Sequence, residues 1–131
     1  MFGRGITLLE LLVVLIVVGV LAALAVPAYQ RHLTRANRVE AMTALQDLLA
    51  AQERFYLRHG RYASESEAAP PTLRHYLLSI SLAADGQTFI ATASPLPDHA
   101  QANDQDCLDF SVDQRGRRAV SGRGGVEKCW R

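Results

Sequence analysis

From Ile6 to Ala28 the chain runs for 23 positions broken only by Thr7, Glu10 and Pro27. Within it, Leu11 to Val26 is sixteen residues without a charge or a side-chain hydrogen-bonding group. As a helix the whole run reaches about 34 Å, enough for a bilayer core of roughly 30 Å. Glu10 is the anomaly in it. A charge at the centre of a bilayer costs roughly 2.5–3.5 kcal/mol on insertion scales, and a plain anchor would carry Leu or Val there. The carboxylate implies a partner charge brought by another molecule, and so a subunit that assembles.

A secretory signal peptide is a poorer reading of the segment. Its basic region is only Arg4 and the initiator amine, and no small-x-small cleavage site follows a core of about 7–15 residues. The apolar run passes instead through Pro27 into a polar helical pattern, as a retained anchor would. Arg31, Arg35 and Arg38 follow the span and only Arg4 precedes it, a count that by itself puts the C-terminus inside.

Roughly 100 residues remain beyond the leader and the apolar run, enough for one small domain. Formal net charge is +1, so no global field argues for nucleic acid or an acidic substrate. Lys128 is the single lysine among fourteen basic residues. Cys107 and Cys129 lack CxxC or Cys/His zinc spacing. They are two buried free thiols or, if this domain lies outside the cytoplasm, one disulfide. That bond would close a loop of about 22 residues and contribute on the order of 3 kcal/mol.

After Pro27, apolar residues recur at three- and four-residue steps: Leu33, Ala36, Val39, Met42, Leu45, Leu48, Leu49, then Gln52, Phe55 and Tyr56. This is an amphipathic stripe, with Arg31, Arg35, Arg38, Glu40, Asp47, Glu53 and Arg54 at other positions. Pro27 should kink or locally melt the helix. Gly60 should cap it, for a total of about 54 residues against a globular mean of about 11–12.

Residues 61–72 read as a connector. Tyr76–Leu82 and Thr88–Ala93 read as strands joined by a turn at Asp85-Gly86. An acidic loop spans 95–106. Cys107–Val112 reads as a third strand with Leu108, Phe110 and Val112 on one face, and 117–121 as a short fourth. Gly122 to Gly125 reads as flexible. The fold class is α+β: a long N-terminal helix packed on an antiparallel sheet of three or four strands.

The run Gly5-Ile6-Thr7-Leu8-Leu9-Glu10-Leu11, with Pro27-Ala28-Tyr29 beyond it, resembles the prepilin signature of type IV pilins and pseudopilins. The resemblance implies a leader over residues 1–5, a transmembrane and assembly helix over 6–28, and a periplasmic globular domain over 29–131. It implies cleavage by a prepilin peptidase between Gly5 and Ile6, N-methylation of Ile6, and pairing of the Ile6 amine with Glu10 of a neighbouring subunit. The family usually has Phe where Ile6 stands. The implied partners are other pilin subunits in a helical filament and an inner-membrane assembly platform. The implied location is the inner membrane, C-terminus periplasmic, and then the surface pilus (fimbrium). The Gln52–Tyr56, Gly60–Tyr62 and Cys129-Trp130 stretches resemble the minor-pilin subgroup of PilE-like and DNA-uptake pilins. Priming of assembly, adhesion, twitching motility and DNA uptake are the roles this implies. A pseudopilin of a type II secretion system is the alternative, which the C-terminal cysteine pair disfavours.

No nucleophile–base grouping, P-loop or dinucleotide motif appears, and His32, His59, His75 and His99 lack metal-ligand spacing, so the reading is a non-enzyme without cofactor or metal. Asp104, Asp106 and Asp109 form a spaced acidic cluster, but without the glycine-containing loop of an EF-hand for calcium. From Arg115 to Arg131 there are six basic residues and one acid, whereas Asp98 to Asp113 holds five acids and no Lys or Arg. Arg115, Arg117, Arg118, Arg123 and Lys128 are therefore candidate phosphate contacts, and Trp130 a candidate base-stacking residue. The competing arrangement folds this basic tail against the acidic loop and packs Trp130 over the disulfide.

Overall fold

The computed structural model describes residues 5–131, so most of the expected leader lies outside the described residues. Two compact units are present, one ending at Leu33 and one spanning Thr34–Arg131. Helix α1, Leu8–His59, contributes to both. It continues through Pro27 without a break, so the expected local melting does not occur. One lost amide bond is outweighed by the strong helix formers on either side. At the other end Gly60 adopts φ +69° and donates its N–H to the Tyr56 carbonyl at 2.8 Å. That left-handed stop is cheap for glycine alone.

In the second unit the sheet has the order β1-β2-β3-β4, all antiparallel. The strands are β1 Tyr76–Leu82, β2 Phe89–Pro95, β3 Phe110–Asp113 and β4 Arg118–Val120. Leu82 pairs with Phe89 across a turn in which Gly86 takes φ +70°. Alternation puts Tyr76, Leu78 and Ile80 on the buried face, with Phe89, Ala91 and Ala93 beside them and Phe110 and Val112 beyond. This face joins Ala41, Ala44, Leu45 and Leu48 of α1 in one core. Small side chains at Ala41, Ala44, Ala91 and Ala93 leave room for the large ones at Tyr76, Phe89 and Phe110.

The helix stripe starts later than its periodicity suggests. Leu33, Ala36 and Val39 are exposed, and the buried face begins at Ala41. Arg38, expected on the solvent side, is covered. Its guanidinium makes a bidentate pair with Asp104 at 2.7 and 2.7 Å, with side chains only 13% and 5% exposed. Gln101 joins this network, accepting from Asn37 at 3.1 Å and donating to the Tyr76 hydroxyl at 2.8 Å. The acidic loop, with a 3-10 turn at Ala100–Asn103, therefore covers the helix through polar contacts, where an apolar stripe was expected.

Two further departures have local causes. The connector holds a short helix α2, Glu65–Ala68, set by a capping box in which Ser64 and Glu67 satisfy each other's backbone amides. Leu108 adopts φ +49°, which breaks the expected strand, so β3 begins at Phe110 and Leu108 is not on its face.

Arg38→Met should lower stability by about 3–5 kcal/mol, because it leaves the Asp104 carboxylate buried without its cation. Replacing both residues by apolar ones, Arg38→Met with Asp104→Leu, should recover part of that loss. Denaturant unfolding followed by fluorescence of Trp130, the single tryptophan, reads both.

Candidate assembly and nucleic-acid surfaces

The first unit is an exposed apolar helix. Every large apolar side chain from Ile6 to Val26 is exposed, from 48% at Val13 to 83% at Leu8. By length and composition the helix is sufficient to cross a membrane. Glu10 lies in its first turn. Thr7 precedes the helix, and its Oγ1 accepts the Glu10 amide hydrogen at 3.2 Å. Thr7-x-x-Glu10 thus has the spacing of a capping box, a signal that the apolar run masks in the sequence. Free amides of a helix N-terminus favour an anion, so this position moderates the cost of a carboxylate in an apolar segment. Gly5 and Ile6 precede the helix. Pro27 lies well inside it.

The basic tail belongs to the second unit and is ordered by its own backbone. Ser121, Gly122, Arg123 and Gly124 donate their amides to the carbonyls of Asp109, Cys107, Gln105 and Asp106 at 3.1, 3.0, 3.2 and 2.6 Å. Gly122 approaches so closely that an added Cβ would fall on the Asp106 carbonyl. The expected flexible segment is therefore a clamp, since main chain can come this near only where no side chain intervenes. Beyond it, α3 covers Gly125–Cys129. Cys129 is joined to Cys107 with Cα atoms 5.7 Å apart.

The candidate DNA contacts divide by environment. Lys128 pairs with Asp106 at 2.7 Å, which holds that carboxyl below its ordinary range. Arg117 pairs with Asp113 at 2.6 Å. Burial pushes the Asp113 carboxyl up, but the amide and guanidinium of Arg117 and the amide of Arg115 outweigh it, and the net shift is downward. The Arg118 guanidinium lies 5.0 Å from the centre of the Trp130 ring. Trp130 is half-buried, meets Phe110 edge-on at 5.6 Å and donates its indole N–H to the Ala119 carbonyl at 3.2 Å. Its partner is thus the core phenylalanine and β4, and stacking on a base would require it to leave them. Arg115 and Arg123 are exposed.

The three acids of the spaced cluster do not converge. Asp104 holds Arg38, Asp106 holds Lys128, and Asp109 accepts from the Ser121 hydroxyl at 2.8 Å. Within the buried network, burial pushes the Tyr76 phenol up to about 12, while hydrogen bonds to Asp104 keep Arg38 firmly protonated. The tail does fold against the acidic loop, as the competing arrangement has it, but its close glycine backbone contacts and the Arg38–Asp104 pair were not anticipated from sequence. Arg38 looked like one solvent-facing charge among several, and only tertiary geometry singles it out.

The family described as "Type IV minor pilin ComP, DNA uptake sequence receptor" matches residues 27–111. The chain is 37% identical over 98 residues to the type IV major pilin protein PilA of Myxococcus xanthus, covering 72% of this chain and 44% of that protein. It is 40% identical over 73 residues to a type IV major pilin protein PilE1 of Neisseria gonorrhoeae, covering 53% and 44%. The chain therefore spans less than half the length of these relatives. A type IV pilin structure from Shewanella oneidensis superposes with a TM-score of 0.60 at 26% identity, covering 75% of this chain and 98% of that one. The minor pilin PilV of Neisseria meningitidis gives 0.57 at 22% identity, covering 70% and 89%, a likeness of fold. These matches are to pilins and do not favour the pseudopilin alternative.

Gly122→Ala should cost about 1–3 kcal/mol by forcing the clamp apart. The thermal midpoint should fall, and amide exchange at Gly124 should quicken relative to the amides of β1 and β2. Unchanged exchange at Gly124 would show that the tail is not held by this approach.

Proposed function

Because this chain belongs to the type IV pilins, in the minor-pilin family matched over residues 27–111, we propose that it is a structural, non-catalytic minor subunit of a type IV pilus. The observation that carries this reading is the exposed apolar helix with Glu10 in its first turn. Such a surface is covered by lipid before assembly and by neighbouring helices afterwards. A prepilin peptidase would cut after Gly5, and Ile6 would become the methylated terminus. Glu10 of one subunit would then neutralise the Ile6 amine of the next and set the register of the filament. The C-terminal unit would be periplasmic before an assembly platform extracts the subunit. The disulfide supports that side of the membrane, since such bonds persist in oxidising compartments.

Glu10→Ala should leave membrane insertion and leader cleavage intact and sharply reduce incorporation into filaments. Immunoblots of sheared pili against membrane fractions measure this, alongside mass spectrometry for N-methyl-Ile6. Normal incorporation of the variant would remove the pairing from the mechanism.

A second reading, DNA contact, is favoured by the family description and by the charge of the tail. Arg115 and Arg123 are the residues best placed to serve, since they are exposed and their side chains take no part in the Trp130 packing or the two ion pairs. Charge reversal at both, Arg115→Glu with Arg123→Glu, should weaken DNA binding across all sequences. It should also flatten the salt dependence by roughly 1–2 in log–log slope. Gel shifts of the full chain in detergent at several salt concentrations test this. Equal binding by the reversed protein would exclude these residues.

A further inference from the structure

His75, just before β1, and His99, in the acidic loop, bring their Nδ1 atoms to 3.4 Å. Their ring centroids are 5.5 Å apart and their planes cross at 79°, so the rings meet through nitrogen rather than by stacking. The distance is long for a hydrogen bond from a ring nitrogen, which prefers about 2.7–3.2 Å. It suits a shared ion better. Two nitrogens each roughly 2.0–2.1 Å from one tetrahedral metal stand about 3.3–3.4 Å apart.

The pair is held in place by bonds that do not involve the rings. The His75 carbonyl accepts the Leu96 amide at 3.0 Å, and the His99 amide donates to the Leu96 carbonyl at 3.1 Å. One residue beyond His75 is Tyr76, and two beyond His99 is Gln101. These are buried and joined at 2.8 Å. Both histidines therefore sit at fixed points of two segments already tied together, and little order remains to be imposed by a ligand. Both are half-buried, reachable by an ion yet partly dehydrated.

We infer that His75 and His99 form a two-imidazole site for a borderline divalent transition ion, of the class of zinc, nickel or copper. Imidazole nitrogen suits these ions, whereas calcium and magnesium require oxygen ligands. Among the described residues no group of three His, Cys, Asp or Glu side chains gathers, so the remaining coordination positions fall to water or to a side chain from another molecule. The other two histidines differ. His59 is stacked on Phe55 with its Nδ1 3.1 Å from the Phe55 carbonyl, and His32 is exposed on the other unit.

The test titrates the full chain in detergent micelles with zinc chloride alone, by calorimetry. One equivalent should bind. His75→Ala and His99→Ala should each weaken binding by more than about tenfold, the lower end of what even outer-sphere changes cost. His32→Ala and His59→Ala should leave it unchanged. Loss of the metal-free near-UV spectrum in an alanine variant would shift the decision to the wild-type chain. There, zinc should move the ring resonances of His75 and His99 together, and movement of neither overturns the assignment. Absence of binding below about 1 mM, retention in both alanine variants, or equal losses in all four histidine variants would also overturn it.

Discussion

The second unit depends on one ion pair. A loop rich in polar residues, 95–106, has to lie against a helix and leave no buried group unsatisfied. Arg38 and Asp104 make this possible by closing two hydrogen bonds at 2.7 Å where solvent is nearly excluded. Dehydrating two charges offsets much of their attraction, so the pair contributes position more than net stability. It holds Asp104 at one point along the helix. Gln101 then reaches Asn37 and Tyr76, and Cys107 begins the return to the sheet. Among the described residues no buried side-chain polar atom lacks a partner. A hydrophobic contact would tolerate sliding along the helix, but a planar guanidinium facing a carboxylate does not.

From that fixed loop the C-terminal segment takes its form. The amides of 121–124 find carbonyls at 105–109, and the disulfide closes the same approach from its two ends. A cross-link spanning 22 residues restricts the unfolded chain by about 3 kcal/mol in the loop-entropy description. The charge contrast between acidic loop and basic tail is spent partly inside the domain, at Lys128–Asp106. What faces outward is smaller than the sequence suggests, and lies at the residues whose side chains are not needed for packing.

Legibility followed the range of the cause. β1 has the bounds its alternation implies, and the Asp85-Gly86 turn and the Gly60 stop are where glycine chemistry requires them, because these are set within a few residues. An antiparallel sheet of three or four strands on a long helix was equally readable, the structure has four, and the matches to solved pilins have the same fold. Leu108 fits an alternating pattern in sequence but lies next to Cys107, whose bond to Cys129 and acceptance of the Gly122 amide constrain the local backbone. Ala36 and Val39 keep the helical period yet lie exposed, because Asn37, Arg38 and Ala41 on the same turns take the covered face. Gly122 to Gly125 looked flexible because composition cannot distinguish glycine used for freedom from glycine used for close approach.

The same distinction bears on Glu10. Composition marks it as an expensive carboxylate in an apolar run, and the helix start marks it as a favourable one. Both hold. The first-turn amides carry a partial positive charge, and Thr7 already serves as acceptor for the Glu10 amide. If processing places an ammonium on Ile6, only Thr7 separates that charge from the positive end of its own helix. The terminus would then carry two like charges in a medium that screens neither. A carboxylate is the group that relieves both, whether it comes from the same chain or from a neighbour. An amide or an alkyl side chain at this position could continue the helix but could not balance the terminus. If the end is cleaved as proposed, the acid would answer the local electrostatics of that helix end, and a neighbouring subunit would share it.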